Sequence, residues 1–320
     1  MVFATSKADN GGKRQTPYVI WDIDGPIHSG IYDGEAPRGV DFVRYLTQES
    51  LREEVGEDVE VSFSPDGVSV GGDYEWGDIR EALQETGYFG PDEAENINEV
   101  WHSGKSYAEK SEEIGHHYMM GVRGREREDI ERLAEDYVHQ ELSPEVPRGV
   151  NNVVGMLSMK GYETAVVTGN PQEMAEPTAE LILGGSNGVS HVFGTEVATE
   201  NGVYVARFVR NTTTDKEAAI NEMLEDDRYG FDPASSVAIG DSEEADAPIY
   251  GHVGTVIHID PEGSTSPEEL RSEIPEVESE GGLLQHLLGG QEKDVFVLDD
   301  IAELKEALES DNGNGLQRAI

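Results

Sequence analysis

The chain has no cysteine among its 320 residues, and this absence excludes several kinds of site. Without thiols there is no disulfide framework, no cysteine nucleophile and no sulfur-ligated zinc. Apolar runs are also short, and none approaches the ~18 residues that a membrane-spanning helix needs. The first fifteen residues, MVFATSKADNGGKRQ, lack the apolar region of a secretory signal. We therefore expect a disordered tail over 1–15 and a cytoplasmic protein.

Basic residues are also scarce. The sequence has 23 Lys and Arg, eight of them Lys, against 66 Asp and Glu, which gives a formal net charge of −43. Proteins that bind nucleic acids or anionic membranes do so through basic surfaces. We expect neither partner, and the composition leaves the oligomeric state open.

The surplus of carboxylates causes self-repulsion unless salt screens it, and the Debye length falls to about 3 Å at 1 M salt. The chain nevertheless carries the aromatic residues of a folded protein, with 3 Trp, 12 Tyr and 8 Phe. We interpret the surplus as adaptation to molar salt, as in proteins of salt-accumulating archaea. An acidic protein of an ordinary cytoplasm is the alternative.

Short apolar strands alternate with amphipathic helices in most of the chain. The segments that predict strands are TPYVIWDIDG, TAVVTGN, HVFGTEV, VYVARFV, SSVAIGDS, VGTVIHID and DVFVLDD. Between them lie helical patterns such as MAEPTAELILG, TTDKEAAINEMLEDD and IAELKEALES. This alternation predicts an α/β protein with a doubly wound parallel sheet, built from residues 16–32 and 145–320.

Residues 33–144 have a different pattern. Helical spacing of apolar residues occurs around 40–49, 78–86, 94–103, 107–120 and 128–142. A glycine-rich stretch, FSPDGVSVGGDYEWGD, interrupts these helices as a hairpin or a flexible loop. We therefore expect an inserted, mainly helical cap domain between the first core strand and the rest of the core.

Polar residues stand where the core strands end, and parallel sheets bind ligands outside the carboxyl ends of their strands. These residues, with a lysine at the start of a helix, are Asp22, Asp24, Thr168, Gly169, Asn170, Lys216, Asp241 and Asp246. Each alone has an ordinary interpretation as a turn, a helix cap or a solvated side chain. Together they predict that carboxylates, a hydroxyl and an ammonium meet at one edge of the sheet.

This set of residues resembles the four motifs of the haloacid dehalogenase (HAD) superfamily of phosphatases. Asp22-Ile23-Asp24-Gly25 matches its DxDG motif, and Thr168 in TAVVTGN is similar to the second. Lys216 in TTDKEAAI matches the third, and GDSEEAD at 240–246 is similar to the fourth. PRGVNNVVGMLSMKGYETAVVTGN and HVFGTEVATENGVYV resemble the phosphoserine-phosphatase branch, and the insert lies where that branch has its C1 cap.

The resemblance implies Mg²⁺-dependent hydrolysis of a small phosphate monoester through an aspartyl-phosphate. Asp22 would be the nucleophile, and Asp24 the acid that protonates the leaving oxygen and then activates water. The residues it implies for phosphate binding are Thr168, Gly169 and Lys216. The residues it implies as metal ligands are Asp22, Asp24 through its main-chain carbonyl, Asp241 and Asp246.

Two departures from the family pattern leave alternatives open. Pro26 stands where a Thr often follows DxDG, and the acids of the fourth motif are five residues apart. Glu243 or Glu244 could therefore take the role of Asp246. A phosphomutase or phosphotransferase of the same fold is a rival function, and a non-catalytic phospho-aspartate switch is disfavoured by the insert and the DxDG pattern.

An acidic insert repels a phosphorylated substrate, so Arg or His side chains, or bound salt cations, are needed where the substrate enters. The candidates in or beside the insert are His28, Ser29, Arg38, Arg44, His116 and His117. For each of them a solvated or core-packed side chain is the more common arrangement. The sequence therefore selects none of them as a specificity residue.

Overall fold

The structure is a computed structural model, and it describes residues 15–24, 38–56, 59–72, 74–146, 149–183, 189–260, 263–273 and 294–310. Its strands are β1 Tyr18–Trp21, β2 Val61–Ser64, β3 Gly67–Val70, β4 Glu163–Pro171, β5 His191–Glu200, β6 Val203–Arg210, β7 Val237–Gly240, β8 Thr255–Ile259 and β9 Asp294–Leu298. Its helices are α1 Arg38–Val55, α2 Trp76–Thr86, α3 Pro91–His102, α4 Tyr107–Val122, α5 Arg127–Tyr137, α6 Val150–Met159, α7 Gln172–Ile182, α8 Lys216–Glu225, α9 Glu243–Gly251, α10 Pro267–Glu273 and α11 Ile301–Ser310. None of these described helices is both long and apolar enough to cross a membrane.

Seven strands form one sheet in the order β6-β5-β4-β1-β7-β8-β9. Neighbouring strands are parallel, except for the antiparallel pair β5 and β6 at one edge. That pair is a hairpin whose turn holds Asn201 and Gly202 at φ of 54° and 85°, as the Asn-Gly sequence predicts. The predicted doubly wound parallel sheet is therefore confirmed, with one antiparallel strand at its edge.

Both faces of the central strand are buried, which explains why its sequence is a continuous apolar run. Val19 and Trp21 pack on one face against α6, α7 and α11. Tyr18 and Ile20 pack on the other face against α8 and α9. Each such side chain contributes roughly 1.5–3 kcal/mol through burial, so the strand that carries the first acidic motif is firmly placed.

The insert forms its own apolar cluster, but the core contributes to it. Phe42 of α1, Ile97 of α3 and Leu133 of α5 pack together with Met174 of α7 and Tyr204 of β6. The glycine-rich stretch forms the hairpin β2–β3, which is one of the two alternatives that the sequence leaves open. The division into core and cap domains stays a prediction, and residues 1–14 and 25–37 lie outside the described residues.

A buried carboxylate joins the insert to the core. Glu173 lies in the first turn of α7 and accepts hydrogen bonds from the hydroxyls of Tyr118 (3.2 Å) and Tyr204 (2.7 Å). Burial raises the pKa of Glu173 above its usual range, while both tyrosine hydrogen bonds favour the charged form. The start of a helix also stabilises a negative charge. Through Glu173, helix α4 of the insert is connected to both α7 and the edge hairpin.

We expect opposite effects from alanine at two helical glycines. A Cβ at Gly121 of α4 would lie within 2.5 Å of the Phe89 ring, so Gly121→Ala should destabilise the protein by about 1–3 kcal/mol or more through overpacking. Gly155 of α6 has no atom within 4 Å of an added Cβ, and Gly155→Ala should stabilise by up to about 1 kcal/mol. Denaturant unfolding measures both; equal free energies of unfolding for the two variants would contradict the packing of α4 on Phe89.

Candidate active site

The site lies where the strand order reverses around β1. On one side of β1 the strands follow in the order β4, β5 and β6, and on the other side in the order β7, β8 and β9. The Asp22 N–H donates to the Ile239 carbonyl (3.0 Å), so the ladder between β1 and β7 reaches the first acid. The carboxyl ends of three adjacent strands thereby bring together Asp22, Thr168 and Asp241, where parallel sheets form their ligand sites.

Lys216 joins two acids beneath the end of β1. Its Nζ donates to Asp22 Oδ2 (2.6 Å) and to Asp246 Oδ1 (2.7 Å), and all three side chains are buried. Burial alone disfavours the ammonium, but Asp22 and Asp246 together hold the pKa of Lys216 well above its ordinary value. The N-cap of α8 is Asp215, whose carboxylate accepts from the Ala218 N–H (2.9 Å).

Asp246 shapes the turn after β7. Its Oδ2 accepts from the main-chain N–H groups of Asp241 and Ser242, both at 3.1 Å. A Cβ at Gly240 would lie 2.6 Å from the Tyr250 hydroxyl and closer still to Asp246 Oδ2, so only glycine fits there without displacement. The five-residue spacing thus places Asp246 beside Lys216, because α9 begins immediately after the turn.

Three carboxylates form a compact cluster. Oxygens of Asp22, Asp241 and Asp246 lie within 4.8 Å of one another. Burial, outweighing the effect of Lys216, and the repulsion of neighbouring acids raise the pKa of Asp22 to about 7. Burial and the charges of Asp246 and Asp22 raise the pKa of Asp241 to about 9. Asp24 supplies no carboxylate oxygen to this cluster, and Glu243 instead binds the Thr265 hydroxyl.

Asn170 connects the ends of β1 and β4. Its Nδ2 donates to Asp24 Oδ2 (3.3 Å) and to Thr168 Oγ1 (3.2 Å). Thr168 is 0% exposed, and Gly169 and Asn170 rather than Thr168 line the cavity. The phosphate-binding roles of Thr168 and Gly169 stay predictions; in this structure the Thr168 hydroxyl faces Asn170.

Three threonines fix the chain around Gly169. The Gly169 carbonyl accepts from Thr195 Oγ1 (3.1 Å) and Thr213 Oγ1 (3.3 Å), and Thr195 also bonds Thr212 (3.0 Å). These contacts tie the end of β4 to β5 and to the segment that leads into α8. They therefore fix the position of the irregular last residues of β4 relative to Lys216.

A cavity of about 840 Å³ opens above the acids. The core contributes Asp22, Asp24, Lys216 and Asp241 to its lining, which we call the floor, and the insert contributes the residues that we call its wall. The residues of that wall include Val40, Trp101, Tyr107, Lys110, Ser111 and Ile114. Sequence reasoning did not identify Trp101, Tyr107 or Lys110, because nothing in their local pattern separates them from ordinary helix residues.

The carboxyl end of β8 contributes further residues to the cavity. His258 and Asp260 line it, and His258 Nδ1 is 3.1 Å from the Tyr250 hydroxyl. Their position in VGTVIHID would have identified them by the same strand-end rule that identified Asp22. Among the candidate residues for the place where the substrate enters, Arg44 pairs with Asp41 and His117 pairs with Glu93. These two and His116 do not line the cavity; His28, Ser29 and the side chain of Arg38 lie outside the described residues.

The sequence matches the model of the haloacid dehalogenase-like hydrolase family over residues 75–249, more than half of the chain. The chain belongs to this family. The range matched in this HAD-like hydrolase contains Thr168, Lys216, Asp241 and Asp246, and begins after Asp22 and Asp24. The prediction of an enzyme of this family is thereby confirmed. No curated protein matches the sequence.

Solved structures are similar to this HAD-like hydrolase at low sequence identity. A protein of unknown function from Bordetella pertussis is 15% identical with a TM-score of 0.46, covering 77% of this chain and 90% of its own. A phosphoserine phosphohydrolase-like protein from Francisella tularensis is 14% identical with a TM-score of 0.45, covering 91% and 99%. A phosphoserine phosphatase from T. onnurineus is 17% identical with a TM-score of 0.42, covering 92% and 96%.

We expect Lys216→Met to destabilise the protein strongly, because it leaves Asp22 and Asp246 buried without their cation. Breaking a buried ion pair in this way costs about 3–5 kcal/mol. The matched control is Lys305→Met, which removes a lysine near Glu309 on the surface of α11 and should cost less than about 1 kcal/mol. Urea unfolding with chelator in molar KCl gives both values, and a loss as small in Lys216→Met as in Lys305→Met would show that Lys216 does not stabilise the acids.

Proposed function

We propose that this HAD-like hydrolase catalyses the Mg²⁺-dependent hydrolysis of a small phosphate monoester through an aspartyl-phosphate on Asp22. The observation that carries the proposal is the contact of Lys216 with both Asp22 and Asp246 at the end of β1. It places a carboxylate at the floor of the cavity beside a fixed positive charge. A nucleophile that approaches a phosphate dianion needs such compensation.

The acidic cluster suits Mg²⁺, which prefers oxygen ligands. No hydrogen bond from the described residues reaches the Asp241 carboxylate, and its pKa is raised by burial and by neighbouring acids, whose repulsion a divalent cation would offset. Asp22, Asp241 and the main-chain carbonyl of Asp24 would hold the ion, and Asp246 would orient this set. When bound, the ion would supply charge neutralisation for the phosphate.

The residues of the first motif divide the chemistry between them. A carboxylate oxygen of Asp22 would attack phosphorus as the bond from phosphorus to the ester oxygen breaks. Asp24, held by Asn170, would give its proton to the leaving oxygen. It would then take a proton from the water that attacks the phosphorylated Asp22, and inorganic phosphate would leave.

The remaining floor residues would bind the phosphoryl oxygens. Lys216 offers an ammonium, and the Gly169 N–H lies at a turn fixed by Thr195 and Thr213. Such preorganised donors stabilise charge that develops in the transition state. The Thr168 hydroxyl would take part directly or through Asn170. In this proposal residues 33–144 act as the cap that covers the site.

Replacement of Asp22 tests the nucleophile. Asp22→Asn should lower the rate of phosphate release by at least about a thousand-fold, since removal of a covalent nucleophile has effects of this order or larger. The measurement is a panel of phosphate esters in molar KCl with Mg²⁺, with phosphoserine as the first substrate. Activity that survives Asp22→Asn would refute the assignment.

Three controls accompany that measurement. Asp78→Asn removes the same charge from an exposed helix position of the insert and should leave the rate unchanged. A chelator should abolish activity, and added Mg²⁺ should restore it. An added sugar or alcohol acceptor distinguishes a phosphotransferase, which would transfer the phosphoryl group instead of releasing it.

The net charge of −43 supports a second part of the proposal, that the protein works in a cytoplasm of molar salt. Screening reduces repulsion among the surface carboxylates, so the free energy of unfolding should rise as KCl increases from dilute buffer to about 1 M. Unfolding curves at several KCl concentrations measure this. Equal stability in dilute and molar salt would overturn the interpretation.

A further inference from the structure

One lysine of the insert lines the cavity and forms no ion pair with the described residues. Lys110 lies in the first turns of α4, and its Nζ is 4.9 Å from the ring centroid of Trp101 on α3. Both side chains line the cavity together with Asp22 and Asp24. An ammonium over an indole ring is attracted by the ring and kept in place. The pair therefore holds a positive charge on the wall of the cavity.

Two of the three acids of α4 are already engaged, and the third, Glu112, is not within ion-pair distance of Lys110. Glu109 binds the Ser106 hydroxyl and N–H in a capping box, and Glu113 pairs with Lys105. No carboxylate of the described residues lies within 4.0 Å of Lys110 Nζ, whereas Lys216 contacts two. In a chain of net charge −43, a lysine left without an ion pair in a cavity is available to an incoming anion.

The charge balance of the cavity gives Lys110 its importance. The carboxylates that line it are Asp22, Asp24, Glu112, Asp241, Glu243, Glu244 and Asp260. Against them stand two ammonium groups, Lys216 and Lys110. Lys216 is held by Asp22 and Asp246 at the reacting centre. A second negative group on a substrate would therefore need Lys110 as its ammonium partner.

Helix geometry sets where this second group would lie. Tyr107 precedes Lys110 by three residues, so both lie on one face of α4 about 4.5 Å apart along its axis. Tyr107 lines the same cavity as Lys216, Asp22 and Asp24, and Lys110 lines it about one helical turn further along α4. A cavity of about 840 Å³ has room for a leaving group that spans this distance.

We propose that Lys110, positioned by Trp101, binds a second anionic group on the leaving-group side of the substrate. The inference rests on the proposed function and narrows the substrate class to phosphate monoesters that carry another negative charge. A carboxylate and a second phosphate offer the same chemistry to an ammonium, so the experiment includes both.

The test compares matched ester pairs. 3-Phosphoglycerate and glycerol 3-phosphate differ by a carboxylate, and fructose 1,6-bisphosphate and fructose 6-phosphate differ by a phosphate. Lys110→Met keeps the apolar stem and removes the charge; it should reduce the preference in kcat/KM for the anionic member of a pair by about 10-fold or more, the value of one charge-assisted hydrogen bond. Lys110→Arg should restore part of the preference. The pair that responds identifies the kind of anion.

The control is Lys305→Met, which removes a lysine of α11 that lies near Glu309 and does not line the cavity. It should leave the preference unchanged. A loss in Lys110→Met that is equal for both members of each pair would overturn the proposal, because it would place Lys110 on the reacting phosphate. An unchanged preference would overturn it as well.

Binding separates this inference from the proposed function. The affinities of 3-phosphoglycerate and glycerol 3-phosphate are measured by calorimetry in Asp22→Asn and in Asp22→Asn with Lys110→Met. Tighter binding of the anionic member that depends on Lys110 supports the subsite even if the wild-type chain hydrolyses no ester. Equal affinities in both proteins would reject the subsite, even if hydrolysis is observed.

Discussion

The buried ammonium of Lys216 is the interaction on which the rest of the site depends. Asp22 follows β1 and Asp246 lies in the first turn of α9, and without a cation their charges could not lie together in the interior. Lys216 therefore links the end of β1, the start of α8 and the first turn of α9. The same contact that keeps the acids together gives Asp22 a fixed positive neighbour. In the proposed function, this one group therefore serves both stability and chemistry.

The parallel α/β fold and the place of the first acidic residues follow from sequence, because both depend on local pattern. A run such as YVIW can be buried on both faces only in a central strand, and the acids behind it must lie at the edge of the sheet. The cluster of Asp22, Asp241 and Asp246 agrees with that reasoning. The position of Asp246 also follows once α9 is seen to begin at Glu243.

The wall of the cavity did not follow from sequence. Trp101 and Lys110 lie on different helices of the insert, and only tertiary packing brings their side chains together. Helix α9 lacks a clear apolar period and contains Pro248, so its pattern is weak. Thr168 shows the limit of a motif: the residue type was identified, but its hydroxyl is turned towards Asn170 by neighbours that a linear sequence does not reveal.

Helix α4 contacts the core near one end and lines the cavity near the other. A small rotation of the helix about its contact with the core would therefore move its cavity end. Tyr118, near one end, is tied to the core through Glu173, while Lys110 lines the cavity eight residues away. At 1.5 Å per residue that arm is about 12 Å long. A rotation of about 5° around Tyr118 would move Lys110 by about 1 Å, a displacement large enough to alter catalytic geometry. The packing of Gly121 against Phe89 therefore determines where the wall of the cavity lies, although these two residues are far from any reacting atom.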